Sequence, residues 1–239
     1  SAASDVYKRQ QSSCVSNDCA TLGYTKAASD CTNSATIKCP FNTSQVYCQD
    51  AVATPSPEVG MIYYSDGTFS KSVDTSKTAV GIIAYLKNGH GFVVALEEDD
   101  KVWGTNVPDT LPNVTFDTLE NENNMDGIAS TRLIIDASGD HPAAKYCITY
   151  SAVSKGIGSN GWYLPTSGEL LALAQNIDVI NAAAKSLSKQ ELGTTGYWSS
   201  SISKETSYDY RVWYIQPSSS YPTTYDSEDF QYVRCALPI

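Results

Sequence analysis

The sequence contains few of the residues and motifs that catalysis by a histidine, an activated nucleophile or a phosphate-binding loop requires. Its two histidines are His90, predicted in a hairpin turn, and His141, predicted at a helix start. The sequence contains no G-x-S-x-G or H-E-x-x-H motif and no phosphate-binding loop. Those patterns bring nucleophiles, metal ligands and phosphate contacts together. We therefore predict that the protein is not an enzyme and uses no cofactor.

Cysteines are the next reactive residues, and their distribution is uneven. Five of the seven lie in the first 48 residues, and the other two are Cys147 and Cys235. A short segment rich in cysteine and poor in aliphatic residues is normally stabilised by disulfides, which form in oxidising compartments. Zinc is the alternative, but the segment has no C-x-x-C pair and no nearby histidine, so the usual zinc spacing is missing. We predict a secreted or surface-exposed protein without a metal ion. The five N-terminal cysteines are Cys14, Cys19, Cys31, Cys39 and Cys48.

The charge balance narrows the range of partners. Asp and Glu outnumber Lys and Arg by 26 to 16, which gives a net charge of −10. Basic side chains supply most of the non-specific affinity for nucleic acids and anionic membrane surfaces, so neither partner is expected. The longest mostly apolar stretch, residues 79–86, is too short to span a bilayer.

Three segments follow from composition. Residues 1–10 (SAASDVYKRQ) have no periodicity and resemble a translated sequencing-adapter string from assembled environmental DNA. We expect the natural chain and its export signal to continue upstream. Residues 11–54 are predicted to form a disulfide module or stalk, and 55–239 a separate folded domain. The boundary is the proline-containing stretch 51–58, AVATPSPE, which is typical of a stiff linker.

The pattern after residue 58 predicts an α+β domain. Residues 61–64 and 68–70 flank the turn sequence Ser65-Asp66-Gly67, which predicts a β-hairpin. Residues 79–86 and 91–97 are apolar, β-branched runs separated by residues 87–90, which predicts a second hairpin. Residues 104–130 are acidic but lack the order of a calcium-binding loop, so an exposed loop is expected. Helices are predicted at 141–151, at a T-x-x-E capping box starting at Thr166, and at 179–187. Strand-like alternation returns at 208–215 and 230–237.

Four motifs carry a resemblance to a known family. They are GWYLPT from Gly161 with Glu169-Leu170 following, YWSS from Tyr197, VRC from Val233, and the hairpin YYSDGT from Tyr63. Together these motifs resemble a bacterial or phage ligand-binding family with a C-type-lectin-like fold. The match covers roughly residues 59–239, so 55–239 is expected to be a lectin-like ligand-binding domain. The resemblance implies two helices packed on small antiparallel sheets, and a disulfide between Cys147 and Cys235. It also implies that Trp162 and Trp198 belong to the scaffold.

The segment between the last two motifs differs in composition from the rest of the chain. Residues 196–232 contain seven Tyr, nine Ser, three Thr and three Asp among 37 residues. Tyr and Ser dominate antibody binding loops, where Tyr gives rigid amphipathic area and Ser gives adaptable hydrogen bonds. These residue types also result from randomising adenines in Asn codons. The segment is therefore similar to the variable regions of proteins diversified by retroelements, which share this fold. A fixed tyrosine-rich surface is the alternative.

We therefore predict a ligand-binding surface within 199–229, which binds a protein or glycan on another cell or surface. The expected aromatic anchors are Tyr208, Tyr210, Trp213, Tyr221 and Tyr225. The expected polar contacts are Ser201, Ser203, Asp209, Arg211, Thr223 and Asp226. Alternation along 208–215 leaves open which of its residues face outward. Residues 218–225 are predicted to form a surface loop because Pro222 cannot occupy a central strand.

Two other functions remain as alternatives. The first is a structural stalk or pilus-like subunit, which would expose a long edge strand or a self-complementary surface. The second, less favoured, is a relative of the sulfatase-maturing enzymes, which share the lectin-like fold. Against it, Cys147 and Cys235 occupy positions that the resemblance assigns to a structural bridge.

Overall fold

The computed structural model divides the chain into two compact units, Ser1–Ser56 and Pro57–Ile239. In the first unit it describes three strands, which form an antiparallel sheet in the order β1-β3-β2. These are β1 (Tyr24–Ala27), β2 (Thr36–Lys38) and β3 (Val46–Gln49). The residues described in the whole chain are 24–27, 36–38, 46–49, 56–87, 90–119, 121–150, 161–193, 195–206, 209–218 and 221–239. Residues 1–10 and the predicted N-terminal disulfides lie outside them.

The described residues of the second unit form a mixed domain of four helices and two five-stranded sheets, so the predicted α+β class is confirmed. Its helices are α1 (Gly127–Asp136), α2 (Pro142–Ile148), α3 (Ser167–Ala174) and α4 (Ile177–Ser186). Its first five strands are β4 (Ile62–Tyr64), β5 (Phe69–Ser70), β6 (Ala79–Lys87), β7 (His90–Ala95) and β8 (Asp99–Val102). The remaining strands are β9 (Tyr197–Thr206), β10 (Asp209–Gln216), β11 (Tyr221–Tyr225), β12 (Phe230–Val233) and β13 (Ala236–Pro238).

The two sheets differ in strand order. The first has the order β5-β4-β6-β7-β13 and is antiparallel throughout. The second has the order β11-β10-β9-β12-β8, in which β12 pairs with β9 in parallel and the other pairs are antiparallel. The last two strands, β12 and β13, therefore lie in different sheets and join them covalently.

Both faces of the first sheet are buried, which explains the nearly continuous apolar runs of its central strands. Ile82 of β6 and its partner Val94 of β7 face one cluster, which includes apolar residues of α3 and α4. Ile83 and its partner Val93 face the second, which contains the buried Trp103, Trp162 and Trp198. These two clusters form the core of the domain.

The residues of the sequence motifs connect these layers. The Ser200 amide donates a hydrogen bond to the Pro165 carbonyl (2.8 Å). Trp103 Nε1 donates to the Ser199 carbonyl (2.8 Å). The Thr166 capping box at the start of α3 is formed as predicted. A disulfide joins Cys147 on α2 to Cys235 between the last two strands. These contacts give Pro165, Ser199, Ser200 and Cys235 a structural role.

Several predicted elements need correction. Residues 104–130 were predicted as an exposed loop, but they contain two 3-10 turns and the start of α1. Residues 218–225 were predicted as a loop, but Tyr221–Tyr225 forms β11 at the sheet edge. Proline is tolerated there because an edge strand has an unpaired side. The predicted strand 230–237 is divided between β12 and β13. The two predicted hairpins and the other three helices are confirmed.

Candidate ligand-binding surface

The pairing of β10 decides which of its residues face the same way. Tyr210 pairs with Lys204, Val212 with Ile202 and with Tyr225, and Tyr214 with Trp198 and with Thr223. Residues directly opposite each other on antiparallel strands share a face. Five partly or fully exposed residues lie on this side of the sheet or next to it, and we call them the tyrosine face. They are Tyr210, Tyr214, Thr223, Tyr225 and Asp226.

Two of the predicted contacts lie in the interior. Trp213 is buried, and its Nε1 donates to the Val114 carbonyl (2.8 Å). Ser201 is buried too; its Oγ accepts a hydrogen bond from the Ser167 amide (3.0 Å) and donates one to Asn124 Oδ1 (2.9 Å). Burial corrects the prediction that these two side chains contact a ligand at the surface.

Three aromatic rings form the centre of the tyrosine face. The centroids of Tyr214 and Tyr225 lie 5.1 Å apart, and each lies within 6.5 Å of the Trp198 centroid, all in edge-to-face geometry. Trp198 is fully buried, whereas Tyr225 is 37% exposed. Edge-to-face packing holds rings in fixed orientations. The buried indole therefore supports a rigid tyrosine pair at the surface.

A glycine makes room for this arrangement. A Cβ at Gly196 would lie 1.8 Å from Cζ of Tyr214, far inside van der Waals contact. Burial also raises the pKa of the Tyr214 hydroxyl, so it remains protonated and able to donate a hydrogen bond at neutral pH.

A polar pocket of 840 Å³ adjoins the other end of the face. It lies between the loop 105–110, the C-terminal end of α1, Tyr210 and Asp226. The Tyr210 hydroxyl donates to the Asp109 carboxylate. Lys204 Nζ donates to the Asp109 carbonyl (2.8 Å) and lies 5.4 Å from the Tyr210 ring centroid. These contacts fix the tyrosine at the pocket wall.

The other predicted contacts are distributed as follows. Arg211 follows Tyr210 along β10, so its side chain points to the opposite side of the sheet. Ser203 pairs with Arg211 and shares that side, and both side chains are half-buried. Tyr208 lies outside the described residues. The backbones of Asp209 and Tyr221 belong to β10 and β11, while their side chains lie outside the description. The structure thus brings together Tyr210, Thr223, Tyr225 and Asp226.

Sequence reasoning missed part of this surface. Tyr214 was placed on β10 without a binding role, and Asp109 was assigned to a solvated loop. Asp136, which also lines the pocket, ends a helix that was not predicted. The alternation of β10 could have identified Tyr214 once its register was known. Nothing in the sequence relates Asp109 to Tyr210 across a separation of 101 residues.

The described residues contain neither a group of potential metal ligands nor a membrane-spanning helix. Among the described residues, no three His, Cys, Asp or Glu side chains are grouped so as to hold a metal ion. No described helix has the length and apolar character that a bilayer crossing requires.

Comparison of the chain with protein-family models, with curated proteins and with solved structures finds no match in any of the three.

Proposed function

We propose that this protein is a surface-displayed ligand-binding module on a C-type-lectin-like scaffold, and that its ligand is a protein or glycan contacted by the tyrosine face. The observation that carries the proposal is the rigid Tyr214–Tyr225 pair supported by buried Trp198. Aromatic side chains that are already held in place lose little conformational entropy on binding, which favours affinity.

The surroundings of the tyrosine pair supply polar contacts. Thr223 lies directly opposite Tyr214 on the neighbouring strand, and Asp226 lines the adjoining pocket with Tyr210. Asp109 and Asp136 line the same pocket. This combination of aromatic surface and hydrogen-bond acceptors suits a ligand that presents hydroxyl or ammonium donors beside an apolar surface.

Contacts between the motif residues support the lectin-like scaffold, and a disulfide supports the extracellular location. The Pro165–Ser200 contact joins two motifs, and the Cys147–Cys235 disulfide joins a helix to the end of the last motif. Disulfides persist mainly in oxidising compartments. We therefore propose that the protein is secreted by a bacterium, lies on a bacterial surface, or belongs to a phage particle.

The sheet edges argue against the stalk or pilus alternative. Assembly through strand addition needs a long exposed edge. In the part of the second unit that the structure describes, the edge strands are β5, β8, β11 and β13, which have two, four, five and three residues. Pro222 has no backbone amide hydrogen, so β11 lacks one donor along its length. The edge strand β8 begins with two negatively charged residues, Asp99 and Asp100. Short, charged or proline-containing edges resist such pairing.

Binding to a glycan array and to whole bacterial cells tests the proposal. The double variant Thr223→Ala/Tyr225→Ala should lose binding while its melting temperature stays close to that of the wild type. The control is Phe116→Ala, which removes an aromatic ring that is 64% exposed and lies outside the tyrosine face. Binding that survives the double variant, or is lost in the control, would contradict the assignment of this face.

Retroelement diversification is tested in the flanking DNA. We expect a near-copy of the codons for 196–232 that differs only at adenines, beside a reverse transcriptase gene. The resulting replacements should fall at partly or fully exposed positions such as Thr223, Tyr225 and Asp226. They should spare Trp213 and Ile215, because both are buried. A flanking sequence without such a copy would favour a fixed binding surface.

A further inference from the structure

A second pocket, of 610 Å³, lies away from the tyrosine face. It is enclosed by the β6–β7 hairpin, the start of α1, and the C-terminal residues of the chain. Its volume falls within the range of about 300–1,000 Å³ that is typical of small-molecule sites. None of its lining residues belongs to the surface predicted from the sequence.

The walls of this pocket are aromatic and aliphatic. Tyr85 and Phe92 stack with centroids 5.8 Å apart and an interplanar angle of 25°. Tyr163 contributes a third ring, and Met125 and Ile128 contribute aliphatic surface. Such walls contact the apolar part of a ligand, and the faces of the rings attract cations.

A buried carboxylate, that of Glu169, lines the same space and is only 3% exposed. Glu169 Oε1 accepts a hydrogen bond from the Tyr163 hydroxyl (2.9 Å), and Glu169 Oε2 accepts from the Thr166 amide (2.8 Å). Asp126 also lines the pocket, and its Oδ1 caps α1 by accepting from the Ala129 amide (3.0 Å). An ionised carboxylate attracts a cation and repels an anion, so these groups favour a positively charged ligand.

The backbone approaches this carboxylate closely. A Cβ at Gly127 would lie 2.5 Å from Glu169 Oε2 and 2.5 Å from the Tyr163 ring, so only glycine allows helix α1 to begin here. The capping role of Glu169 explains its contact with Thr166. Capping alone does not require three aromatic rings and an open cavity beside the carboxylate.

We propose that this pocket binds a small organic cation: an ammonium group on an apolar body, with the ammonium directed toward Glu169 and Asp126 and the body against Tyr85, Phe92 and Tyr163. The two carboxylates outnumber the single cationic side chain among the lining residues, Lys87. Aromatic rings combined with negative charge are the chemistry by which proteins recognise quaternary ammonium groups.

The protonation of Glu169 gives the proposal a pH dependence. Burial raises the pKa of Glu169 to about 7. The other charged and titratable side chains that line the pocket are those of Tyr85, Lys87, Asp126 and Tyr163. The pKa of Tyr163 is raised well above its ordinary value, chiefly by burial, so its hydroxyl stays protonated. A ligand with a permanent positive charge should therefore bind more tightly as the pH rises through about 7, because Glu169 becomes ionised.

Calorimetric titration with choline and with benzyltrimethylammonium tests the proposal. The matched neutral control for choline is 3,3-dimethylbutan-1-ol, which replaces the ammonium nitrogen by carbon. We expect at least one of the two cations to bind, more tightly at pH 8 than at pH 6, and the alcohol to bind at least roughly tenfold more weakly. Failure of both cations to bind, or equal affinity for the alcohol, would overturn it.

Variants locate the binding in this pocket. Glu169→Gln removes the charge while keeping the shape, and should weaken cation binding and abolish its pH dependence. Ile128→Trp enlarges a partly buried side chain at the wall and should block binding without touching the capping box. Tyr225→Ala, on the tyrosine face, should leave cation binding unchanged. Unaltered binding in Ile128→Trp would place the cation elsewhere and overturn the proposal.

Discussion

Arg234 and Glu98 form a buried ion pair in which Arg234 Nη2 lies 3.0 Å from Glu98 Oε2. Their side chains are 1% and 5% exposed. Arg234 Nη1 also donates to the Ala95 carbonyl (3.1 Å), and the Tyr197 hydroxyl donates to Glu98 Oε2 (2.8 Å). The arginine of the VRC motif therefore joins both sheets, since Ala95 belongs to β7 and Tyr197 to β9.

Removing one partner of this ion pair should strongly destabilise the domain. In Glu98→Ala the guanidinium stays buried without a counter-charge, and breaking a buried pair in this way costs about 3–5 kcal/mol of unfolding free energy. Lys189→Ala, which removes an exposed ion pair with Glu97 (2.5 Å), should cost less than about 1 kcal/mol. Urea unfolding of both variants measures the difference. Equal costs would contradict the structural role of Arg234.

The Cys147–Cys235 disulfide should contribute substantially to stability. It closes a loop with a sequence separation of 88 residues, and the chain-entropy model assigns such a loop about 4–5 kcal/mol. The variant Cys147→Ala/Cys235→Ala should unfold at a lower urea concentration than the oxidised wild type. Mass mapping of a non-reduced digest checks the bond itself, and a free thiol at either position would contradict it.

The buried carboxyl of Glu169 should make stability depend on pH. Its pKa is about 7 in the folded chain against an ordinary value of 4.5. Between these values the folded state holds a proton that the unfolded state has released, so the free energy of unfolding falls as the pH rises through this range. Full ionisation costs on the order of 3 kcal/mol relative to pH values below 4.5.

The variant Glu169→Gln isolates this effect. Its melting temperature, relative to that of the wild type, should rise between pH 5 and about pH 8, because the neutral amide carries no ionisation cost. Glu97→Gln, at an exposed carboxylate, serves as the control and should show little such trend. A difference between Glu169→Gln and wild type that does not change with pH would contradict the raised pKa.

Trp213 and Tyr225 were both predicted to be ligand anchors, but replacing them should have different effects on stability because only Trp213 is buried. Trp213→Ala removes a buried indole together with its hydrogen bond to Val114, and such truncations cost about 3–5 kcal/mol. Tyr225→Ala removes a ring that is 37% exposed and should lower the melting temperature much less. Thermal unfolding measures both. Similar losses would indicate that Tyr225 is mainly structural.

Local chemistry was sufficient to predict several elements of this domain. The Thr166 capping box was predictable because Thr and Glu three residues apart satisfy each other's backbone amides without help from the rest of the chain. The two hairpins were predictable because apolar, β-branched runs flanked a glycine turn or an Asn-Gly turn. The α+β class followed from the order of these elements.

Helix α1 was missed because its buried side carries polar residues. Thr131 is buried, and its hydroxyl oxygen accepts from the Leu164 amide (3.0 Å). Ser199 on β9 is also buried, where its Oγ donates to the Trp213 carbonyl (2.8 Å). Apolar periodicity cannot detect elements whose buried polar groups are satisfied by distant backbone.

The sequence by itself determined the residue types of the binding surface, and the tertiary structure decided which of them reach it. The tyrosine and serine content of 196–232 was visible without a structure. The orientation of β10 was not, because a shift of one residue in strand pairing exchanges the two faces. The observed register places Trp213 in the core and Tyr214 beside Tyr225. The Glu169 pocket also depended on the tertiary structure, because its walls come from segments that are distant in sequence.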